Sequence, residues 1–350
     1  MRMPRSGVVH LTHRLSSGGV ETAIRVFLES GRRRDYTVMT LTTDDGGHPE
    51  AVLPGRGLNN PLTYLSQLAR LVRRPPAVLV VSLWRAALLG AVVKVLRPRV
   101  QLVVFLHNVR YKNRPDRWCH RAALAVSDVV FVDSEAAREA LVPDTRQPVR
   151  RITFKLRTDV AAVRPTFEAP WYLAYWGRLS PQKRIDRALQ LLATMRHRED
   201  CRLLCIGTDD GDGDRLRKMA AELGVEEYVE WLPEMPFPSI EAQVSRASFF
   251  VQLSDFEGMA MSVVEAMQMG LVPVVSPVGE IRNYADDGIN ALVFRGDVEE
   301  LAGRVLDVIG DPQRWRTLHE AAMATWRETP GYTESFSEAI DELLTSARRP

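Results

Sequence analysis

Apolar segments of strand length alternate with amphipathic helical segments along the whole chain. Five such segments lie in the first half and five in the second: VVHLTH (8–13), YTVMTLTT (36–43), AVLVVS (77–82), VQLVVFLH (100–107), DVVFVDS (128–134), WYLAYWG (171–177), CRLLCIG (201–207), YVEWL (228–232), SFFVQLS (248–254) and VPVVSP (272–277). Continuous runs of Val, Leu and Ile are typical of parallel strands that helices cover on both faces. The pattern therefore predicts an α/β protein with parallel sheets.

The alternation occurs twice, with an interruption between the two halves. The regular pattern lapses between Asp159 and Pro170, where Pro165 also lies. A chain of 350 residues is also longer than a single hydrophobic core usually organises. We therefore predict two doubly wound, Rossmann-like domains at residues 1–165 and 166–328, followed by a terminal segment at 329–350.

The composition excludes several classes of protein. Hydrophobic residues make up 45% and charged residues 26% of the chain, which is typical of a globular protein and not of a disordered one. Residues 77–96 are apolar enough to suggest a membrane span, but Arg85 and Lys94 interrupt them, and a charge near the bilayer centre costs about 2.5–3.5 kcal/mol. Three cysteines are too few for a disulfide framework, and two of them, Cys201 and Cys205, lie in a strand pattern. We predict a soluble, cytoplasmic protein with buried thiols.

The net charge of +2 conceals a difference between the halves. Residues 1–165 contain 27 Lys and Arg against 13 Asp and Glu, whereas the remainder contains 19 against 31. This polarity indicates either that the first half meets an anionic partner or that the two halves attract each other. The sequence leaves both interpretations open.

The first candidate site is SDFEGMAMSVVEAMQMGLVPVVSP, residues 254–277. A buried strand ends at Ser254, a turn follows at Glu257 and Gly258, and a helix runs from about Ala260 to Met269. The N-terminus of a helix presents unpaired backbone N–H groups and a partial positive charge, so it can hold a diphosphate without a metal ion. Taken alone, Glu257 can equally be a capping acid and Glu265 a solvated helix residue.

The second candidate site is YWGRLSPQKRID, residues 175–186, directly after the first strand of the second half. Gly177 permits a tight turn, while Arg178 and Lys183 lie in the loop that follows. Arg can bind a phosphate through two parallel hydrogen bonds, and Lys acts as a compact point charge. The alternative is a pair of exposed basic residues before a helix.

Together these segments resemble the retaining glycosyltransferases of family four, also called glycosyl transferases group 1, which have the GT-B fold. The two glutamates of EGMAMSVVEAM are spaced as in that family, and Gly177, Arg178 and Lys183 match its phosphate-binding loop. The downstream PVGEIRNYADDGINALVF, the glycine loop SSGGVETA and a histidine ending a strand of the first half, His107, also match in the right order. The resemblance implies two Rossmann-like domains facing across a cleft, and a last helix, near 332–347, that returns to the first domain.

The resemblance also implies a role for each matching residue. Arg178 and Lys183 are expected to neutralise the diphosphate of a UDP- or GDP-linked sugar donor, with no cofactor and no metal. Glu265 is expected to bind the ribose, and Glu257 and His107 the transferred sugar. The loop residues expected to contact the donor are Gly18, Gly19, Gly177, Gly258, Met259, Ala260, Met261 and Ser262. Catalysis in this family retains the anomeric configuration and proceeds through an oxocarbenium-like transition state, in which fixed positive groups stabilise the departing diphosphate.

Some positions depart from the family pattern. Bulky Met259 and Met261 stand where the family often has small residues, and the junction motif is LRTD, with only Asp159 preserved. The loop after the second strand of the second half is extended to GTDDGDGDRLR, which lacks the ligand spacing of an EF-hand and indicates a solvated turn. These departures bear on the identity of the donor more than on the type of reaction.

The acceptor is expected on the first domain. NVRYKNRPDRWCHR (108–121) combines five basic residues with Tyr111 and Trp118. LTYLSQLARLVRR (62–74) places an apolar face beside Arg70, Arg73 and Arg74, and this face consists of Leu62, Leu65, Leu68, Ala69 and Val72. These segments suggest a glycan or lipid-linked acceptor at an anionic membrane surface, on the inner face of the membrane. A core-facing helix with solvated arginines is the alternative. No nucleic-acid-binding motif accompanies the basic residues.

The expected pathway is the synthesis of a surface polysaccharide, a lipopolysaccharide or a glycolipid. Three other functions remain possible on the same scaffold: a nucleotide-sugar 2-epimerase, a glycosyltransferase for a small soluble acceptor, and a non-catalytic binding subunit. The oligomeric state is not predicted by the sequence.

Overall fold

The chain forms two compact units in the computed structural model, which describes residues 7–15, 18–43, 52–158, 160 and 167–347. The first unit comprises Met1–Leu156 and Pro330–Pro350, and the second comprises Arg157–Thr329. The division therefore falls between Leu156 and Arg157. The predicted boundary at 165 and 166, like Asp159 of the junction motif, lies outside the described residues.

The first unit alternates strands and helices from its start. Its elements are β1 (Val8–Thr12), α1 (Gly19–Glu29), β2 (Tyr36–Thr40), β3 (Val52–Leu53), α2 (Pro61–Arg73), β4 (Val78–Ser82), α3 (Trp84–Leu96), β5 (Gln101–Leu106), α4 (Arg114–Val126), β6 (Val129–Val132), α5 (Glu135–Leu141) and β7 (Val149–Arg151). The strands form one parallel sheet in the order β3-β2-β1-β4-β5-β6-β7. Polar side chains start several of its helices: Asn60 caps α2, Asn113 caps α4 and Ser134 caps α5.

Helix α2 corrects one of the sequence-based expectations. Its core-facing residues are Thr63, Gln67 and Leu71, whereas Leu62 and Leu65 are 53% and 62% exposed. The polar pair can be buried because the Gln67 amide donates to the carbonyls of Thr40 and Leu53, and the Thr63 hydroxyl accepts from the backbone of Arg56. Of the predicted apolar face, Leu62 and Leu65 therefore do not pack into the core, whereas Leu68 packs against it.

The last helix, α13 (Tyr332–Ala347), belongs to the first unit although it is distant in sequence. Its Phe336 is fully buried among Phe27, Tyr36, Phe105 and Phe131, with ring centroids 4.8–6.3 Å apart. On the surface, Arg32, Arg33 and Arg150 form ion pairs with Glu334, Asp341 and Glu342 of the helix, respectively. The aromatic cluster thus covers one face of the first sheet.

The second unit repeats the same architecture. Its elements are β8 (Trp171–Trp176), α6 (Ile185–Arg196), β9 (Cys201–Ile206), α7 (Gly213–Glu222), β10 (Val229–Leu232), α8 (Phe237–Val244), β11 (Ala247–Gln252), α9 (Met261–Met269), β12 (Val272–Val275), α10 (Ile281–Tyr284), β13 (Leu292–Val293), α11 (Val298–Ile309) and α12 (Pro312–Thr325). The parallel order is β10-β9-β8-β11-β12-β13, so β8 lies between β9 and β11. Along the chain, β8 is followed by its neighbour on one side, β9, and β11 by its neighbour on the other side, β12. The position between β8 and β11 is therefore a topological switch point, and such a point forms a crevice outside the strand ends.

These sheets confirm the predicted α/β class, and all ten predicted strands are present. The three strands that the pattern missed, β3, β7 and β13, are only two or three residues long and lie at sheet edges. Cys201 and Cys205 are buried free thiols, as predicted, and Cys119 is also buried and free. Within the described ranges, no helix has both the length and the apolar character needed to cross a membrane.

We expect Phe336→Ala to lower the free energy of unfolding by about 3–5 kcal/mol, because it removes a fully buried ring from the aromatic cluster. Urea unfolding measures the change. Glu338→Ala, at an exposed position of the same helix, is the matched control and should change stability by no more than about 0.5 kcal/mol. Equal stability of the two variants would show that α13 does not complete the core of the first unit.

Candidate functional site

The loop after β8 starts with a close approach between two glycines. Gly177 has φ 149° and Gly207, which follows the neighbouring strand β9, has φ 155°. A Cβ atom on Gly207 would lie 1.9 Å from the carbonyl oxygen of Gly177. Only glycine at position 207 allows the two strand ends to lie this close.

Arg178 and Lys183 follow in this loop but differ in their surroundings. The Arg178 side chain is 60% exposed, and its Nη1 donates to Oδ2 of Asp210 at 2.6 Å. Lys183 ends a short 3-10 turn (Pro181–Lys183), and its side chain is only 14% exposed. Its Nζ donates to both carboxylate oxygens of Glu257, at 2.8 and 3.0 Å.

Glu257 is the centre of a buried polar group at the end of β11. It is 5% exposed, and its Oε1 also accepts from the side-chain amide of Gln252 at 2.9 Å. The oxygen of that amide accepts from the hydroxyl of Ser262 at 2.7 Å. Sequence reasoning missed Gln252, although a single polar residue at the end of an otherwise apolar strand was the available signal.

Helix α9 begins directly beside this group. Ala260 precedes it in the left-handed conformation, with φ 57° and ψ 65°, which is uncommon for a residue with a side chain and turns the chain sharply into the helix. Gly270, with φ 84°, follows Met269, the residue at which the sequence predicts the helix to end. The N–H group of Val263 already donates to the carbonyl of Ala260. Those of Met261 and Ser262, at the start of the helix, have no partner within it, so this end can receive an anion.

The segment before α9 is fixed by the loop after β12. A Cβ atom on Gly279 (φ 57°) would lie 2.1 Å from the carbonyl oxygen of Glu257. The backbone N–H of Glu280 donates to the carbonyl of Gly258 at 3.0 Å, and the hydroxyl of Tyr284 donates to that of Met259 at 3.1 Å. Gly279 was not predicted as a site residue, yet it allows this contact.

Glu265 lies one turn further along α9 and is not a solvated residue. Its side chain is 15% exposed, its Oε2 accepts from the indole N–H of Trp176 at 2.9 Å, and its Oε1 lies 3.4 Å from Nε of Arg157. Burial raises the pKa of Glu265, while Trp176 and Arg157 oppose the increase. Arg157, which also lies over the ring of Phe237, gave no signal in the sequence.

In the first unit, the glycine loop lies against a carboxylate. Gly18 has φ 152° and precedes α1, which starts at Gly19. A Cβ atom on Gly18 would lie 2.2 Å from Oε2 of Glu21. Burial raises the pKa of Glu21, and its carboxylate stands near the position where the sequence predicts donor phosphates.

His107 follows β5 in the first unit and is buried, with its side chain 4% exposed. Its Nε2 lies 2.9 Å from the hydroxyl of Ser82, and its Nδ1 lies 3.8 Å from Oδ2 of Asp133. Predicted site residues therefore occur in both units: Gly18, Gly19 and His107 in the first, and the others in the second.

The acidic loop 209–214 forms a tight turn. Oδ1 of Asp209 accepts from the backbone N–H groups of Gly211, Asp212 and Gly213, and Asp212 pairs with Arg215. The carboxylates of Asp209 and Asp212 are thus engaged in the turn and with arginine. Among the residues that the structure describes, no three His, Cys, Asp or Glu side chains cluster in a way that could hold a metal ion.

Models of two protein families match nearly the whole chain. The family described as "Glycosyl transferases group 1" matches residues 157–325, and the one described as "Glycosyl transferase 4-like domain" matches residues 6–154. The two matches correspond closely to the two structural units.

Two curated relatives share part of the sequence. A D-inositol 3-phosphate glycosyltransferase from Nocardia farcinica (strain IFM 10152) is 31% identical over 186 residues, which are 49% of this chain and 41% of the relative. A GDP-mannose:cellobiosyl-diphosphopolyprenol alpha-mannosyltransferase from Xanthomonas oryzae pv. oryzae (strain PXO99A) is 29% identical over 178 residues, or 48% of this chain and 47% of the relative. The match therefore spans less than half the length of either relative.

A solved structure resembles the chain over almost its full length. The crystal structure of Anabaena Alr3699/HepE in complex with UDP gives a TM-score of 0.81 at 18% sequence identity and covers 97% of this chain and 100% of that one. The likeness confirms the predicted GT-B fold.

We expect Gly279→Ala to destabilise the chain by about 1–3 kcal/mol more than Gly288→Ala, because only the first forces a Cβ atom against the backbone of Glu257. Gly288 is a matched control, since it also has a positive φ (74°) but has no atom within 4 Å of the added Cβ. Urea unfolding of both variants measures the difference. Equal losses would mean that backbone strain, and not the contact with Glu257, decides the cost.

Proposed function

The chain belongs to the glycosyl transferases group 1 family, and from this premise we propose that it transfers a sugar from a nucleoside diphosphate sugar to an acceptor hydroxyl with retention of the anomeric configuration. The observation that carries the proposal is the Lys183–Glu257 ion pair at the N-terminus of α9, in the crevice formed by the ends of β8 and β11. A cation, a carboxylate and a helix N-terminus at one strand edge provide for a diphosphate and for sugar hydroxyls together.

The diphosphate gains negative charge as the bond to the sugar breaks, so groups that stabilise this charge lower the barrier. The ammonium group of Lys183 has three N–H donors, of which two go to Glu257, and the third remains for a phosphate oxygen. Arg178 is exposed and can exchange Asp210 for phosphate. The N-terminus of α9 adds a partial positive charge, and in this proposal these groups serve in place of a metal ion.

Two glutamates fit the neutral parts of the donor. Glu257 is held by Lys183 and Gln252, so its remaining acceptor capacity can bind hydroxyls of the transferred sugar. Glu265, held by Trp176, can accept from the ribose hydroxyls. Because Glu257 is committed to these hydrogen bonds, we propose attack by the acceptor on the face that the diphosphate leaves, with no covalent intermediate on the enzyme.

The glycine loop of the first unit fits a hydroxyl-bearing group better than a phosphate. The carboxylate of Glu21 lies against Gly18 and, although Nε of Arg14 is 3.9 Å from it, disfavours a second anion at this position. We therefore propose that Gly18 and Gly19 allow the acceptor or the sugar, and not the phosphates, to approach α1.

We further propose that the acceptor bears a phosphate group. The names of the two relatives describe D-inositol 3-phosphate and a diphosphopolyprenol-linked saccharide. In the first unit of this chain, a cavity of about 860 Å³ is lined by five arginines and a single carboxylate, that of Asp144. We call this cavity the arginine groove, and its arginines are Arg110, Arg114, Arg117, Arg121 and Arg146. Such a concentration of positive charge suits a phosphate or diphosphate.

Exposed apolar side chains on the same unit favour a lipid-linked acceptor over a small soluble one. Leu62 and Leu65 of α2 are more than half exposed, as are Val95 of α3 and Trp118 of α4. Helix α3 packs against both α2 and α4, so these residues lie on neighbouring helices. Apolar residues next to basic ones can attach a protein to an anionic lipid surface. We therefore propose action on the inner face of a membrane in surface polysaccharide, lipopolysaccharide or glycolipid synthesis.

We expect Arg178→Ala to weaken binding of UDP or GDP by about ten- to hundredfold, because a charge-assisted hydrogen bond to phosphate contributes about 1.5–3 kcal/mol. Calorimetric titration with each nucleotide measures the affinity. The control is Arg215→Ala, another half-exposed arginine paired with an aspartate in the second unit; it should leave the affinity unchanged.

Lys183→Ala should also weaken binding of the nucleotide, and in addition should destabilise the chain because Glu257 loses its cation. Combining Lys183→Ala with Glu257→Gln should restore stability without restoring binding.

The reaction itself is tested with UDP-glucose and GDP-mannose in the presence and absence of polyprenyl diphosphate-linked saccharide. Release of the nucleoside diphosphate that requires the saccharide indicates transfer, whereas conversion of the donor sugar without an acceptor indicates a 2-epimerase. Activity that EDTA abolishes and a divalent ion restores would contradict the metal-independent mechanism. Absence of both activities and of nucleotide binding would leave a non-catalytic subunit.

We expect the chain to sediment with vesicles that contain anionic lipid, and this binding to decrease between 0.1 and 1 M salt as the Debye length falls from about 10 to about 3 Å. Replacing Arg114, Arg117 and Arg121 by Gln should abolish it. Replacing three exposed arginines of the second unit, Arg198, Arg314 and Arg316, removes the same charge and should not. No binding to either kind of vesicle would exclude the lipid surface and leave a soluble phosphorylated acceptor, whereas equal binding to neutral and anionic vesicles would contradict attachment through the arginines.

A further inference from the structure

Four buried polar side chains, which end at His107, form a continuous hydrogen-bonded line across the first sheet. The hydroxyl of Tyr36 lies 2.7 Å from Nδ1 of His10, and Nε2 of His10 lies 2.8 Å from the hydroxyl of Ser82. The same hydroxyl lies 2.9 Å from Nε2 of His107. Tyr36, His10 and Ser82 are all at most 4% exposed, so water does not substitute for these contacts.

The protons in this line can run in one of two directions, because each interior member donates once and accepts once. Burial is the main reason that the pKa of His10 is lowered to about 3, and any positive charge on His107 acts in the same direction. The ring of His10 is therefore neutral near pH 7 and carries one proton, on either Nδ1 or Nε2. The choice made at His10 determines the choice at every other member.

In the first direction, Tyr36 donates to His10, His10 donates to Ser82, and Ser82 donates to Nε2 of His107. The proton of His107 then resides on Nδ1, facing the carboxylate of Asp133 at 3.8 Å. In the second direction, His107 donates to Ser82, and the series ends with His10 donating to Tyr36. The phenol proton of Tyr36, whose one recorded partner within the described part of the chain is His10, is then left without an acceptor.

The first direction leaves fewer groups unsatisfied. It leaves one N–H, on Nδ1 of His107, next to a carboxylate that attracts it. The second leaves the buried O–H of Tyr36 unpaired and also directs the lone pair of Nδ1 toward the charge of Asp133. Buried donors without acceptors are rare and costly, so the first direction is favoured on both counts.

We infer that Tyr36, His10 and Ser82 are positioning residues that hold His107 in the tautomer with its proton on Nδ1. The inference deepens the function proposed above, because it rests on the role of His107 in binding the transferred sugar. It makes His107 a hydrogen-bond donor at Nδ1, where the other tautomer would be an acceptor.

Packing fixes the plane of this ring as well as its proton. The ring of His107 lies 4.0 Å from that of Phe105 and 5.5 Å from that of Phe154, measured between centroids. Nδ1 of His107 is buried and makes no hydrogen bond within the described residues. A rigid donor without a partner in the protein is suited to a sugar hydroxyl that arrives with the substrate.

The inference is tested by long-range proton–nitrogen NMR correlations of the full chain with ¹⁵N-labelled histidine. The His107 signals are identified by their loss in His107→Asn. We expect a protonated Nδ1 and an unprotonated Nε2 in the original chain. Tyr36→Phe removes the hydroxyl that orients the line and should shift His107 toward the other tautomer or toward a mixture.

The same variant should reduce kcat for sugar transfer by about ten- to hundredfold, as loss of a partner that orients a histidine does, with a smaller change in KM for the donor. Tyr64→Phe is the matched control, since the hydroxyl of Tyr64 donates to the carbonyl of Leu58 in the same unit but lies outside the line. It should change neither the His107 signals nor kcat. Ser82→Ala, which interrupts the line next to His107, should reproduce the effect of Tyr36→Phe.

A proton on Nε2 of His107 in the original chain would overturn the inference, as would an unchanged tautomer in both Tyr36→Phe and Ser82→Ala. The NMR measurement needs no substrate, so it remains decisive even if the chain transfers no sugar. Conversely, sugar transfer with the other tautomer would refute the positioning role and leave the proposed function intact.

Discussion

A carboxylate that water scarcely reaches, that of Glu257, is the constraint around which the second unit is organised. Removing one partner from a buried ion pair costs about 3–5 kcal/mol, so the loops around Glu257 must keep its partners in place. Lys183 comes from the loop after β8 and Gln252 from the end of β11. Both strand ends reach the carboxylate because β8 and β11 are neighbours and run parallel. The sheet order thus fixes the pair, and the pair fixes the entry of the chain into α9.

The first unit also buries polar side chains that need hydrogen-bond partners. Its buried polar line, from Tyr36 to His107, runs beside the aromatic cluster around Phe336. In apolar surroundings a hydrogen bond is stronger, and an unpaired polar group is more costly, than in water. Each member therefore constrains the proton of the next. In the second unit, hydrogen-bond donors surround the buried charge of Glu257. In the first unit, a line of hydrogen bonds determines which nitrogen of His107 carries a proton.

The sequence predicted the architecture and some of the residues that interact at the site. Long apolar runs identified the ten main strands, because burial on both faces leaves few polar positions in them. The short edge strands such as β13 (Leu292–Val293) have too few residues for a pattern. Glu257, Lys183 and Gly18 were predicted by motif. The contact of Glu257 with Gln252 and that of Gly18 with Glu21 were not predicted. Those contacts join residues that are ordinary in their local sequence, and only the fold brings them together.

The charge difference between the halves takes a new form once the units are known. The first unit, with α13, has 27 Lys and Arg against 16 Asp and Glu, a net charge of +11. Three of its arginines are paired with acids of α13. In the arginine groove, Arg114, Arg117, Arg121 and Arg146 form no ion pair with the acids that the structure describes. If the two units merely attracted each other, their opposite net charges could lie anywhere on their surfaces. The surplus positive charge of the first unit instead lies around one cavity. This placement supports the proposal of a specific anion, and therefore of an acceptor that carries its own negative charge.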